Sequence, residues 1–218
     1  MFLYKKELVK FCHKVYENKF VAATDGNLSL RLPDGNILIT PSGKNKGDVA
    51  IEDLIIISES GEKVNGTGKP SSENKIHLLI YQNRPDINAV VHCHPVYASV
   101  LSITKNLFEL PVLPEVILTL GKVPLCEYGT PSTEELPNSM KPYVKKSNAF
   151  LLKNHGAVTT GKNIEEAYFR MEKLEHAAQI LFTAFGGGKI NTLTGSELEK
   201  LMAAAKDSYG IDIPFGYK

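Results

Sequence analysis

Leu3, Leu8, Phe11, Cys12, Val15 and Tyr16 recur near the 3.6-residue period and predict an amphipathic helix at the start of the chain. The alternation of Leu28, Leu30 and Leu32 in GNLSLRL predicts a strand. PDG turns it and NILIT brings it back, so a hairpin is expected. DLIIIS predicts another strand, followed by the turn-rich ESGEKVNGTG. SSENKIHLLIYQN, residues 71–83, predicts a helix with a serine cap. INAVVHCH predicts a buried strand, with a helix after Pro95. AFLLKNHGAVTTG, residues 149–161, predicts two short strands meeting near Asn154 to Gly156. Residues 164–185 predict a long amphipathic helix stopped by Gly186, Gly187 and Gly188, and a last helix is expected at about 195–207. Hairpins mixed with helices predict a layered α/β or α+β fold with part of its sheet antiparallel. No repeat or long linker divides the chain, so residues 1–218 are expected to form one domain.

Composition narrows the function. Lys plus Arg is 25 and Asp plus Glu is 24, a balance that points away from nucleic acid and membrane surfaces as partners. No apolar run approaches the roughly 18 residues of a membrane span. The N-terminal MFLYKKELVKFC places its charges after its apolar residues, unlike a secretory signal. Cys12, Cys93 and Cys126 are odd in number and at no metal-ligand spacing, which fits a reduced, cytoplasmic location.

The candidate chemistry lies in VVHCHP, residues 90–95. Side chains alternate faces in a strand, so His92 and His94 point the same way, their Cα atoms about 6.6 Å apart at roughly 3.3 Å per residue. Two imidazoles so placed can converge on one metal ion; they can equally be hydrogen-bonded structural residues. Cys93 faces the opposite way, towards a core. Pro95 ends the strand, so the histidines stand at a strand end, where α/β folds tend to place their sites. His155 in KNHGAV stands at the end of a second apolar strand, and Glu73 in KPSSENKIH in the first turn of a helix. Three histidines and a carboxylate suit Zn²⁺, with Mn²⁺, Fe²⁺ and Co²⁺ as alternatives. His77, one turn beyond Glu73, reads as packing or as an outer partner of the site. His13 and His176 read as structural.

GNLSLR, ITPSG, KPSSE, HCH and NHG, in this order and at these intervals, resemble the class II aldolase/adducin family, and within it the fuculose-1-phosphate aldolases. The resemblance spans about residues 5–210. It implies a three-layer α/β fold around a mostly antiparallel sheet, and a cytoplasmic homotetramer with active sites between subunits. It implies one Zn²⁺ per chain held by His92, His94 and His155, with Glu73 as fourth ligand and catalytic base. It also implies a phosphate pocket from Gly26, Asn27, Ser42, Gly43, Ser71 and Ser72. Serines 71 and 72 at a helix N-terminus would favour an anion on physical grounds too, although each could be an ordinary cap. Gly26 and Gly43 are expected to let the backbone approach the ligand, and the runs Lys44–Lys46 and Lys145–Lys146 to be solvated loop faces.

The resemblance implies cleavage of a ketose 1-phosphate to dihydroxyacetone phosphate and an aldehyde. A methylthioribulose-1-phosphate dehydratase-like lyase, a pentulose-phosphate 4-epimerase and a non-catalytic scaffold are the alternatives. One position departs from the pattern. Leu113 falls where the aldolases carry a tyrosine that protonates the aldehyde half from a neighbouring subunit. Glu115, two residues on, is the candidate second catalytic acid/base, or else a surface charge; Tyr128 fits a loop tyrosine of the family.

Overall fold

The computed structural model describes residues 1–209; residues 210–218, which belong to the single domain expected from the sequence, lie outside the described residues. The chain runs α1 (Phe2–Glu17), β1 (Asn27–Arg31), β2 (Ile37–Ile39), β3 (Ile55–Ile57), β4 (Lys63–Asn65), α2 (Asn74–Asn83), β5 (Ala89–Cys93), α3 (Val96–Ile103), α4 (Pro114–Leu120), β6 (Leu125–Cys126), α5 (Glu135–Met140), β7 (Ala149–Leu152), β8 (Gly156–Gly161), α6 (Ile164–Gly186) and α7 (Gly195–Tyr209). The eight strands form one sheet in the order β4-β3-β2-β1-β5-β8-β7-β6. Every pairing is antiparallel except β6 with β7.

Two-residue alternation sorts the strand side chains into two cores. Leu28, Leu30, Ala89, Val91, Cys93 and Ala157 face α1, α3, α4 and α6. Ile37, Ile39, Val90, Phe150 and Val158 face α2 and α5. The result is the three-layer α/β fold with a mostly antiparallel sheet implied by the resemblance. Cys93 lies in the first core as its register predicts, and His92, one residue back, points to the α2 side. The three cysteines are unpaired and buried. Among the described residues no helix is long and apolar enough to cross a membrane.

Three local readings are corrected. The helix expected at 71–83 begins at Asn74, because Ser71 and Ser72 belong to the turn before it. Ser71 Oγ accepts from the Glu73 backbone N–H at 3.3 Å, so it closes that turn instead of capping the helix. The turn-rich stretch after β3 contains an edge strand, β4, whose three residues are all exposed. Lys46, expected on a solvated face, is buried at 1% exposure, whereas Lys145 and Lys146 are exposed as predicted.

Candidate metal centre and anion pocket

His92 is the penultimate residue of β5 and His94 follows the strand, held by its N–H to the Phe20 carbonyl at 2.9 Å. His155 sits in the tight turn between β7 and β8, where Asn154 takes a left-handed φ of 57°. Because β8 pairs with β5, this turn brings His155 beside the other two. The three rings form a near-equilateral triangle, with centroids 4.9, 4.9 and 4.8 Å apart. Glu73, at the start of α2, reaches the same point from the side, with Oε2 3.1 Å from His92 Nε2 and Oε1 3.3 Å from His155 Nε2.

These distances test whether a metal fits. Four ligands at about 2.0–2.1 Å around a tetrahedral ion stand about 3.3 Å from one another. The His92 and His94 Nε2 atoms are 3.2 Å apart, and the two carboxylate contacts are 3.1 and 3.3 Å. The ring orientations agree. His92 Nδ1 donates to the Ala157 carbonyl at 2.9 Å, which turns Nε2 towards the cluster. His94 Nδ1 lies 3.6 Å from Asp25, leaving its Nε2 facing inward. Glu73 Oε1 is buried with no hydrogen-bond partner, an orphan that a cation at the cluster would satisfy. The three histidines form a group able to hold a metal ion, as the sequence predicts.

The electrostatics favour an ionised Glu73 beside neutral rings at His77, His94 and His155. Burial opposes the ionised form of Glu73, but the charge and hydrogen bond of His92, the charge of His155 and the Asn27 amide outweigh it, and the carboxyl pKa is lowered. Burial likewise opposes a charge on His92, but Glu73 outweighs it and the pKa is raised. Burial, together with the charge on His92, pushes His77 and His94 down to about 3 and His155 to about 4. These three imidazoles take up protons more readily in the unfolded chain, near pH 6.5, than in the folded one. Their contribution to stability is full above that pH and is lost as the pH falls towards 3–4; His92, with its raised value, opposes them but is one against three. The metal-free protein is therefore expected to melt at progressively lower temperature as the pH is taken from 7 to 4.5. A melting temperature flat over that range would contradict the assignment of these rings as neutral in the folded protein.

A chain of buried side chains stands behind Glu73. Asn27 Nδ2 donates to Glu73 Oε2 at 3.0 Å, and Asn27 Oδ1 accepts from His77 Nε2 at 2.5 Å. His77 Nδ1 meets Ser29 Oγ at 2.6 Å, and Ser29 meets the Tyr81 hydroxyl at 2.7 Å. With Nε2 as donor, His77 must accept at Nδ1, so Ser29 donates to it and accepts from Tyr81. The direction of every bond is thereby set, and Asn27 presents its NH₂ to the carboxylate. His77 is therefore an outer partner of the site and not a ligand. His13 bonds the Val49 carbonyl at 2.9 Å and His176 is exposed, both away from the cluster.

The residues expected for an anion pocket lie on segments joined to one another and to Glu73 by hydrogen bonds. Asn27 lies directly opposite His92 in the β1–β5 register. Ser42 N–H bonds the Lys69 carbonyl at 3.0 Å and Ser71 N–H the Thr40 carbonyl at 3.2 Å, lacing the two serine segments together. Ser42, Gly43 and Ser72 are exposed at the rim, and Ser71 is buried behind them. The Asn27 amide is engaged by Glu73 and His77, so its side chain serves the carboxylate in this arrangement. Packing requires a glycine at Gly26: with φ 73°, a Cβ there would stand 2.5 Å from Val21 Cγ1 and 2.9 Å from the His92 carbonyl.

Gly156 was visible in the sequence only as a turn residue. A Cβ at this position would lie 2.6 Å from both the Cys93 carbonyl and the His94 ring. Gly156→Ala is therefore expected to displace His94 and weaken metal binding at the cluster by about tenfold or more, the scale seen when the surroundings of a ligand are disturbed. Competition with a chromophoric chelator measures this, and unchanged affinity would contradict it.

Glu115 is exposed on α4, which packs against α6 in the layer across the sheet from α2. Leu113 is half-buried beside it, and Tyr128 is exposed. None of the three joins the cluster within one chain.

The chain matches the model of the class II aldolase and adducin N-terminal domain over residues 6–182. It is 38% identical over 201 residues to a 3-oxo-tetronate 4-phosphate decarboxylase of Pectobacterium atrosepticum, covering 90% of this chain and 91% of that one. It is 39% identical over 175 residues to an L-fuculose phosphate aldolase of Methanococcus maripaludis, covering 80% and 93%. The crystal structure of an L-fuculose-1-phosphate aldolase from Thermus thermophilus superposes with a TM-score of 0.73 at 31% identity, covering 87% and 98%.

Proposed function

Because the chain belongs to the class II aldolase and adducin family, we infer that it is a zinc-dependent lyase that cleaves a ketose 1-phosphate to dihydroxyacetone phosphate and an aldehyde. The observation that carries this reading is the meeting of three inward-facing imidazole nitrogens and Glu73 beside the serine loops. His92, His94, His155 and Glu73 would hold the metal, which when bound supplies Lewis acidity at the keto and hydroxyl oxygens.

The chain's own residues supply the rest. Ser71, Ser72, Ser42 and the backbone at Gly43 anchor the phosphate, which fixes the keto carbon near Glu73. When the carbon–carbon bond breaks, its electron pair stays on the carbon next to the keto group. Glu73, a ligand only until substrate takes its place, would deliver a proton there from its protonated form, and take one from that carbon in the condensation direction. Asn27, oriented by His77, holds the carboxylate in place. The proton on the aldehyde half needs a second acid/base, and Glu115 can provide it only from another copy of the chain. A homotetramer with shared sites, in the cytoplasm, is therefore part of the proposal.

Leu113 favours a second reading. The two substrates named among the relatives share one head, a hydroxyl-bearing carbon, a keto group and a phosphorylated CH₂, and cleavage beyond the hydroxyl carbon leaves dihydroxyacetone phosphate from either. They differ in the departing half. An aldehyde must lose a hydroxyl proton as it leaves; carbon dioxide leaves from a carboxylate without one. A leucine in place of the tyrosine is a loss for aldol cleavage and none for decarboxylation. Incubation of the metal-loaded protein with L-fuculose 1-phosphate and with 3-oxo-tetronate 4-phosphate separates the two. Triose phosphate with lactaldehyde supports the aldolase, and triose phosphate with carbon dioxide the decarboxylase. Release of triose phosphate from neither would overturn both.

A further inference from the structure

Lys46 has no role in the chemistry above, yet it is one of the largest fully buried side chains of the protein. Burying an ammonium costs several kcal/mol unless its donors and its charge are matched. The donors are matched in part by backbone: Nζ donates to the Thr24 carbonyl at 3.0 Å and to the Lys44 carbonyl at 2.6 Å. The charge is not matched by a carboxylate in contact. Neighbouring Lys44 pairs with Asp53 at 3.0 Å, whereas no ion pair among the described residues includes Lys46. Burial lowers its pKa, and the groups that act to raise it are the thiols of Cys12 and Cys93 and, more weakly, Asp25.

The two carbonyls belong to the two segments that frame the anion pocket. Thr24 stands two residues before Gly26 and three before Asn27. Lys44 follows Ser42 and Gly43 directly. These segments approach from different parts of the chain, one before β1 and one after β2, and Lys46 ties them together. The rim above the tie, at Ser42 and Gly43, is exposed, and a Cβ on Gly43 would meet nothing within 4 Å. A buried positive charge thus stands against both segments, one of which carries the exposed Ser42 and Gly43.

We infer that Lys46 is a positioning residue of the phosphate pocket: it clamps the Thr24 and Lys44 carbonyls so that both loops face one anion, and the phosphate of the substrate is the counter-charge its ammonium lacks. The inference rests on the reading of this pocket as the phosphate site. It acts through the loops and through the field, since the ammonium is buried and donates to the Thr24 and Lys44 carbonyls.

The test is the affinity of the zinc-loaded protein for inorganic phosphate, by calorimetry, in the wild type, Lys46→Met and Lys46→Gln. Methionine keeps the buried stem and removes charge and donors; glutamine keeps a donor for one carbonyl and carries the test if the methionine variant does not fold. The expected result is phosphate binding weakened about tenfold or more in each folded variant, a change of about 1.4 kcal/mol per decade, with one zinc per chain retained. A folded variant that melts earlier but binds phosphate like the wild type would make Lys46 a residue of the fold alone and overturn the inference, leaving the pocket in place. A wild type that does not bind phosphate at millimolar concentration would overturn the pocket itself, and the role of Lys46 with it.

Discussion

Replacing His92, His94 or His155 by alanine is expected to leave the protein without stoichiometric metal and without turnover. The three histidines and Glu73 supply the four corners a tetrahedral ion needs, with separations of 3.1–3.3 Å between His92 and His94 and from Glu73 to His92 and His155, so no remaining set of three restores the geometry once a nitrogen is removed. Disturbing the outer partners of a metal ligand costs about 10–100-fold in affinity, and removing the ligand is expected to cost at least about a hundredfold. His92→Ala should be the most severe, since that ring is fully buried and also bonds the Ala157 carbonyl at 2.9 Å. Metal analysis of each purified variant checks this; one metal per chain in all three would remove the cluster from consideration as a metal centre.

Glu73→Gln is expected to behave differently. The amide keeps the shape of the side chain but can neither take nor deliver the proton at carbon. Turnover should fall by about 10² to 10⁴, the usual worth of a positioned acid/base. Three imidazoles remain, so the metal should be retained, bound more weakly. The amide also presents either a carbonyl or an NH₂ to Asn27, which in the wild type donates to a carboxylate oxygen at 3.0 Å. Steady-state kinetics with parallel metal analysis separates the two effects. A variant with wild-type turnover would show that another group handles the proton.

Much of this site was legible because it obeys short-range periodicity. The two-residue alternation that sends Cys93 into one core sends His92 to the other face, and the leucines 28, 30 and 32 read as a strand for the same reason. The long helix α6 is visible from its 3.6-residue stripe and its glycine stop. What the sequence concealed depends on partners far along the chain. His77 meets Ser29 and Asn27, 48 and 50 residues away, so no local pattern could orient it. Lys46 looks like a surface lysine because its partners are backbone carbonyls, which carry no sequence signature. The sequence predicts too early a start for α2 because two serines before a periodic run look like a cap, whereas here they form the turn that carries Glu73 to the histidine cluster. Strand β4 is an edge with all three residues exposed, and β6 has only two residues, so neither shows an apolar alternation to read. Glu115 sits on α4 in the opposite layer with Leu113 just before it, and the role proposed for Glu115 needs a second copy of the chain.

The central claim is that the histidine cluster, loaded with metal, cleaves a phosphorylated ketone. It is tested most directly by following triose phosphate release from L-fuculose 1-phosphate and from 3-oxo-tetronate 4-phosphate with the wild-type protein as purified, after chelator treatment, and after one equivalent of Zn²⁺ is returned. Release from at least one substrate, abolished by the chelator and restored by the single equivalent, is the predicted result. Release that persists at full rate in the stripped protein would contradict it.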